Sequence, residues 1–283
     1  MFETIGRTWE LIKLSWGVLQ GDRKLVAFPL LSGVAFVILA VLLTGLGTGI
    51  GTLDRLSTGT GISGADFGLL AIIYFLLAFV VIYFNAALAG AAMVRLAGGN
   101  PTMADGFRMA NQRLPQIAGW AVIAATVGLI LQVLRSQSRD NMIGQIALSI
   151  VGGVWAYLTF FVVPVLVAES ISPIAAIRRS SSLFKRTWGD QVVANFGFSI
   201  VGFVAVLLAA IPAWVIGQVL SPVAGVAIGV VTVGLAVATV STLETIFKAA
   251  LYGYVADGRV ADGFTQEALE SAYGPKRSRS SGF

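Results

Sequence analysis

Six long apolar stretches leave this chain little choice of fold. They run at about 25–50, 67–94, 116–134, 142–168, 192–216 and 223–243. Each is long enough, at about 1.5 Å per residue, to cross most or all of a hydrocarbon layer about 30 Å thick. Inside lipid every backbone N–H and C=O must find its partner within the protein, so stretches this apolar are expected as helices. The residues AVILMFWYC make up 57% of the 283 and DEKR only 12%, about half the charged share of a soluble chain. The expected fold is all-α: a polytopic membrane bundle with one six-span domain over 1–258 and a loosely ordered C-terminal tail over 259–283. The first stretch is too long for a signal-peptide core and lacks a small-x-small cleavage site, so it reads as a retained span.

The connections carry their own pattern. Phe2, Ile5, Trp9, Ile12, Trp16 and Leu19 recur at spacings of three and four, one stripe of a helix lying in the membrane interface. Met103, Phe107, Ala110 and Leu114 repeat the pattern behind Thr102 and Asp105, which have capping-box spacing. Ile174, Ile177, Ser181, Phe184 and Trp188 give a third stripe after Pro173. The bundle is thus expected as three hairpins, each preceded by an interfacial amphipathic helix. Residues 51–66 are rich in Gly, Ser and Thr and read as a flexible loop. They hold Gly59-Thr-Gly61-Ile-Ser-Gly64, but no strand precedes it, so the dinucleotide-binding reading of GxGxxG fails its context. Pro164 and Pro212 are expected to kink their helices. Gly225 and Gly229 form a GxxxG pair suited to close packing within the bundle or between subunits.

A repeat runs through the hairpins. Phe84-Asn-Ala-Ala-Leu-Ala-Gly90 matches Phe247-Lys-Ala-Ala-Leu-Tyr-Gly253, and Ala104-Asp-Gly-Phe107 matches Ala261-Asp-Gly-Phe264. A middle copy near 161–177 keeps only the order of helix exit, proline and amphipathic segment. Three units of parallel topology follow, a pattern found in transporters and in proteins that transport nothing.

Sixteen of the nineteen Lys and Arg residues lie on the N-terminus, the two long connections and the C-terminal region. That asymmetry orients the chain with both termini in the cytoplasm, as a multi-pass protein of the cell membrane. The net charge of +5 is then explained by insertion and anionic headgroups rather than nucleic acid. Cys and His are both absent, which removes thiol nucleophiles, disulfides and the commonest general base and metal ligand.

Ionisable groups near the spans are few. Arg95, Glu169, Glu244 and Lys248 fall near cytoplasmic helix ends, while Thr126 and Tyr157 are the more polar residues nearer mid-depth. Proton- or ion-coupled carriers need charge at depth, so this distribution argues against one. Glu244 and Lys248 are spaced to pair on one helix face. Glu169 is placed to meet Arg178 or Arg179 across the turn at Pro173. Arg178, Arg179, Lys185 and Arg186 form a basic segment suited to anionic lipid, and Asn85 suits a hydrogen bond between helices. There is no GxSxG, Walker or HExxH motif and no acidic cluster for magnesium. The expectation is a non-enzymatic component without cofactor or metal. It would engage cytoplasmic-side anionic lipid, a membrane-protein partner or a second copy. The alternative is a transporter or channel for an apolar or lipidic substrate, with a cavity between the repeats.

Four segments together, TFFVVPVLVAE (159–169), RRSSSLFKRTWGD (178–190) behind Pro173, GGNPTMADGF (98–107) and FKAALYGYVADG (247–258), resemble a family of uncharacterised prokaryotic six-helix membrane proteins. The resemblance covers nearly the whole chain and implies the bundle without implying chemistry. More distantly, the chain is similar to the non-catalytic membrane domain attached to some bacterial glycerophosphodiester phosphodiesterases. That likeness implies a membrane or lipid setting; the soluble catalytic barrel is missing here.

Overall fold

The computed structural model describes residues 2–59, 61, 63–138, 141–188 and 196–271. Regular structure among them is entirely helical. Helix α1 (Phe2–Gly21) leads through a 3₁₀ turn (Arg23–Val26) into α2 (Ala27–Gly49), then α3 (Thr52–Thr58) and α4 (Gly64–Leu96). Next come α5 (Met103–Gln112), α6 (Leu114–Gln137), α7 (Met142–Thr159) and α8 (Val162–Glu169). The last four are α9 (Pro173–Trp188), α10 (Phe196–Val219), α11 (Pro222–Asp257) and α12 (Gln266–Ser271).

Six of these segments are long and apolar enough to cross a membrane: Arg23–Gly49, Gly64–Leu96, Leu114–Gln137, Met142–Glu169, Val201–Val219 and Pro222–Asp257. The chain is a polytopic all-α bundle of three hairpins, each entered from a shorter helix. Helix α11 has 36 residues and α4 has 33, about 54 and 50 Å at the standard rise, so both extend well past one hydrocarbon thickness.

The packed core lies at one end, the end where α1 and α12 meet, here the proximal end. Alanines make close packing possible: Ala86, Ala87, Ala89, Ala91 and Ala92 of α4 are sealed, as are Ala249 and Ala250 of α11. Phe161, just before α8, and Val162, Val165 and Leu166 of α8 fill the space beside them. Towards the distal end the helices turn bulky apolar side chains outward, among them Val41 and Leu42 of α2, Ile143 and Ile150 of α7, and Val226 and Val230 of α11. Such surfaces suit lipid and would be unstable in water.

Several expectations need correction. In α1 the buried face is Leu11, Ile12, Ser15, Val18 and Leu19, whereas Trp9 and Trp16 remain 50% and 44% exposed. Lys13 sits over the Trp9 ring at 5.7 Å, an amphipathic pairing suited to headgroup level. In α9 the buried face is Ala176, Ser180, Leu183 and Phe184, with Ile174 outward; the side chain of Trp188 lies outside the described residues. Leu114 is exposed and opens α6, so α5 packs through Gly106 and Ala110, with Met103 and Phe107 at the edge.

The fourth span is interrupted at Phe160–Phe161. Pro164 has no N–H to bond the carbonyl four residues back. The Phe161 N–H exposed by the break donates to Ser180 Oγ of α9 at 2.9 Å. Pro212, by contrast, sits inside a continuous α10. The supposed loop at 51–66 contains α3, held by the nearly covered carboxylate of Asp66. That carboxylate accepts from Thr52 Oγ1 (2.7 Å), Arg55 Nε (3.1 Å) and both the N–H and hydroxyl of Ser63 (2.8 Å each). The segment after 258 is tied in as well. Asp262 N–H donates to Leu96 O at 2.8 Å, and Ala261, Phe264, Ala268 and Leu269 are buried. Residues 272–283 lie outside the described set.

The two repeat matches fare differently. The FNAALAG and FKAALYG copies occupy corresponding buried parts of α4 and α11. The two ADGF copies do not correspond: Ala104–Phe107 is helical within α5, while Ala261–Phe264 forms a turn with Gly263 at φ +82°.

Candidate functional site

The proximal end gathers the ionisable residues singled out from sequence. Helix α8 ends at Glu169, where Ser170 adopts a left-handed conformation with φ 55° and turns the chain towards α9. This places the Glu169 carboxylate beside Arg179, whose Nε donates to both oxygens at 2.9 and 3.2 Å. Tyr252 of α11 donates its hydroxyl to Glu169 Oε1 at 2.9 Å. Of the two arginines in reach by sequence, Arg179 makes the pair; its guanidinium is held above its ordinary pKa, first by the Glu169 hydrogen bond. Glu169 therefore joins α8, α9 and α11.

Glu244 and Lys248 pair along α11 at 2.7 Å, and the Lys248 ammonium also lies 5.0 Å from the centroid of Phe160. The pair thus faces the break in the fourth span. Asn85 Oδ1 accepts from Thr245 Oγ1 at 3.3 Å, a bond between α4 and α11. Arg95 at the end of α4 reaches Asp262 at 3.1 Å, and Arg113 Nε donates to Val167 O at 3.4 Å.

Arg178 and Lys185 stand apart from this network. Both are exposed, and neither has a carboxylate partner among the described residues. Seven residues apart on α9, they share one stripe with Ser181 and Ser182. The side chain of Arg186 lies outside the described residues. The basic segment therefore divides: Arg179 is committed to Glu169, while Arg178 and Lys185 face outward.

Sequence reasoning missed Tyr252, Phe160, Arg113 and Asp262. Each meets its partner from a distant element, and an aromatic or a lone charge in an apolar stretch gives no local sign of that. Among the described residues no three Asp or Glu side chains come together as metal ligands. The arrangement can hold anions by charge and hydrogen bonds at Arg178 and Lys185; the remaining groups satisfy one another.

No curated protein matches the chain. The more distant likeness to a phosphodiesterase-linked membrane domain gains no support from the comparisons. A family model does match residues 65–264, over two thirds of the length, and the chain belongs to that family, a family of unknown function (DUF6159).

Proposed function

We propose that this protein is a non-enzymatic component of the cell membrane, with both termini in the cytoplasm, that binds anionic lipid headgroups along the outer face of α9. The observation that carries this reading is the division of the basic residues. Arg95, Arg179 and Lys248 are paired within the protein, while Arg178 and Lys185 present a stripe without a carboxylate partner among the described residues. Helix α9 buries its other side through Ala176, Ser180, Leu183 and Phe184, so the stripe is fixed at the bundle edge. The positive-inside asymmetry supports the orientation. The shared α4 and α11 segments support descent from a repeated unit, which bears on architecture and not on activity.

Native mass spectrometry tests the reading, on protein delipidated and then titrated with phosphatidylglycerol. Each basic residue near a membrane surface contributes about 1 kcal/mol, roughly fivefold in affinity. Arg178→Gln with Lys185→Gln should therefore weaken retention more than tenfold while leaving membrane orientation unchanged. Undiminished retention would reject the reading. Solute flux in liposomes that is lost on mutating Glu244 or Lys248 would replace it with transport.

A further inference from the structure

At the distal end, α6 and α7 part to leave a cleft of about 400 Å³ lined by Gln132, Arg135, Ser136, Gln145 and Ser149. From sequence this region is only a short polar link. Its geometry is less ordinary. A Cβ on Gly144 would lie 3.1 Å from Ser138, which sets the two helices level near their connection. A Cβ on Gly152 would lie 3.5 Å from Arg135 Nη2. Gly152 is eight residues further along α7, about 12 Å deeper at the standard rise. The Arg135 side chain therefore runs back from near the end of α6 towards mid-span along the exposed side of the helix pair, following the direction in which helical side chains lean.

A cation carried towards mid-span among exposed apolar side chains is costly and is retained where it has a partner. Among the described residues Arg135 has no carboxylate, whereas Arg55, also at the distal end, is bound by Asp66. Gly152 puts no side chain beside the guanidinium, and nothing lies within 4 Å of where a Cβ of Gly153 would be. The Gln132 amide adds neutral donor capacity. Around the cleft, Val133, Leu134, Ile146, Ile150 and Val151 are all exposed. The result is one guanidinium with amide and hydroxyl neighbours, set within an apolar rim.

We propose that this cleft is an anion site that takes the phosphate of a phospholipid in the leaflet opposite the termini. The guanidinium fork matches two phosphate oxygens, and the apolar rim matches the acyl chains that a lipid would bring with it. A free phosphate shares the first match and gains nothing from the second. This site is separate from the α9 stripe in residues and in end of the bundle.

The test uses full-length, delipidated protein titrated with dioleoylphosphatidylglycerol, dioleoylglycerol or inorganic phosphate and read by native mass spectrometry. The expected result is one phosphatidylglycerol whose affinity falls roughly tenfold or more in Arg135→Gln, the scale of a lost charge-assisted hydrogen bond. Gly152→Leu, which sets a bulky side chain beside the guanidinium and keeps the arginine, should give a similar loss and carries the test if Arg135→Gln fails to fold. Dioleoylglycerol should not bind there, and Arg178→Gln with Lys185→Gln should leave this one lipid in place. Equal phosphatidylglycerol binding by wild type and both cleft variants would overturn the proposal. Arg135-dependent binding of inorganic phosphate as tight as that of the lipid would overturn the lipid as its source.

Discussion

The backbone N–H of Phe161 donates to the hydroxyl of Ser180 at 2.9 Å, across the interruption that divides the fourth span into α7 and α8. Both residues are sealed from solvent. An N–H released by a helix break has no water to turn to here, so Ser180 fastens α9 to the break. Ser180→Ala should destabilise the protein by about 1–3 kcal/mol, the cost of a buried donor left without an acceptor. Ser181→Ala should be nearly silent, since Ser181 Oγ donates to Arg178 O of its own helix and to no other element among the described residues. Thermal unfolding in detergent compares them, and equal midpoints for the two variants would count against this role for Ser180.

Glu169 should behave as a three-way joint. Tyr252→Phe removes one neutral-donor hydrogen bond and is expected to cost about 1 kcal/mol. Glu169→Leu should cost more than Tyr252→Phe, because it strands both the Tyr252 hydroxyl and the Arg179 guanidinium. In a double-mutant cycle Glu169→Leu and Arg179→Gln should be clearly non-additive. Additive losses in chemical denaturation would mean that the two side chains act independently.

How much of this was legible follows from what lipid does to a sequence. The six spans stand out because a bilayer demands long apolar helices. The faces of α1 and α9 were harder to assign. A lipid-facing side chain is as apolar as a core one, so the stripe holding Trp9 and Trp16 did not reveal that Ser15 and Val18 are buried. Helix α3 was hidden by its Gly- and Thr-rich setting, because its anchor, Asp66, lies fourteen residues beyond Thr52. At the site, the Glu169–Arg179 pair could be anticipated across one short turn. Tyr252 could not, since it arrives from α11, 83 residues away. Arg135 was read as part of a polar link because nothing local shows that its side chain reaches back to the level of Gly152 in the next helix.

Two glycines separate crowding from open space. A Cβ on Gly106 would lie 2.6 Å from Phe28 Cζ and 2.7 Å from the Ala87 carbonyl oxygen. The ring could shift, but the carbonyl belongs to α4. Gly106→Ala should therefore cost about 1–3 kcal/mol, as overpacked cores do. A Cβ on Gly33, inside α2, would meet nothing within 4 Å. Gly33→Ala should be neutral or stabilise by up to about 1 kcal/mol through helix propensity. Unfolding midpoints measured side by side check the order, and a Gly106→Ala protein as stable as Gly33→Ala would show that α5 does not seat closely on α4.

Gly225 makes the corresponding contact between α10 and α11, where a Cβ would lie 2.5 Å from Gly217 Cα and 2.8 Å from the Ala213 carbonyl oxygen. The GxxxG pair thus serves the third hairpin from within. Gly225→Val should force these helices apart and lower stability by at least about 1 kcal/mol. Cross-linking between cysteines introduced at Ala209 and Thr232, whose Oγ1 donates to Ala209 O at 2.7 Å, should fall in that variant. Unchanged cross-linking would mean that the hairpin absorbs the side chain without separating.

The start of α5 gives a pH-dependent prediction. Thr102 donates its N–H and hydroxyl to Asp105 Oδ2 at 2.9 and 2.7 Å, and Asp105 N–H returns a bond to Thr102 Oγ1 at 3.2 Å. These hydrogen bonds, led by the Thr102 hydroxyl and helped by Arg108, hold the Asp105 carboxyl below its ordinary range. A carboxyl depressed in the folded state stabilises that state fully above its unfolded value, about 3.9. The contribution disappears as pH falls through the lower folded value. Amide exchange at the first turn of α5, corrected for intrinsic rates, should show constant protection from pH 7 to about 4.5 and then a loss as pH falls further. Asp105→Asn should reduce protection near neutrality and remove the acid-dependent step. A loss of protection already complete at pH 5 in the wild-type protein would show that another group controls this helix start.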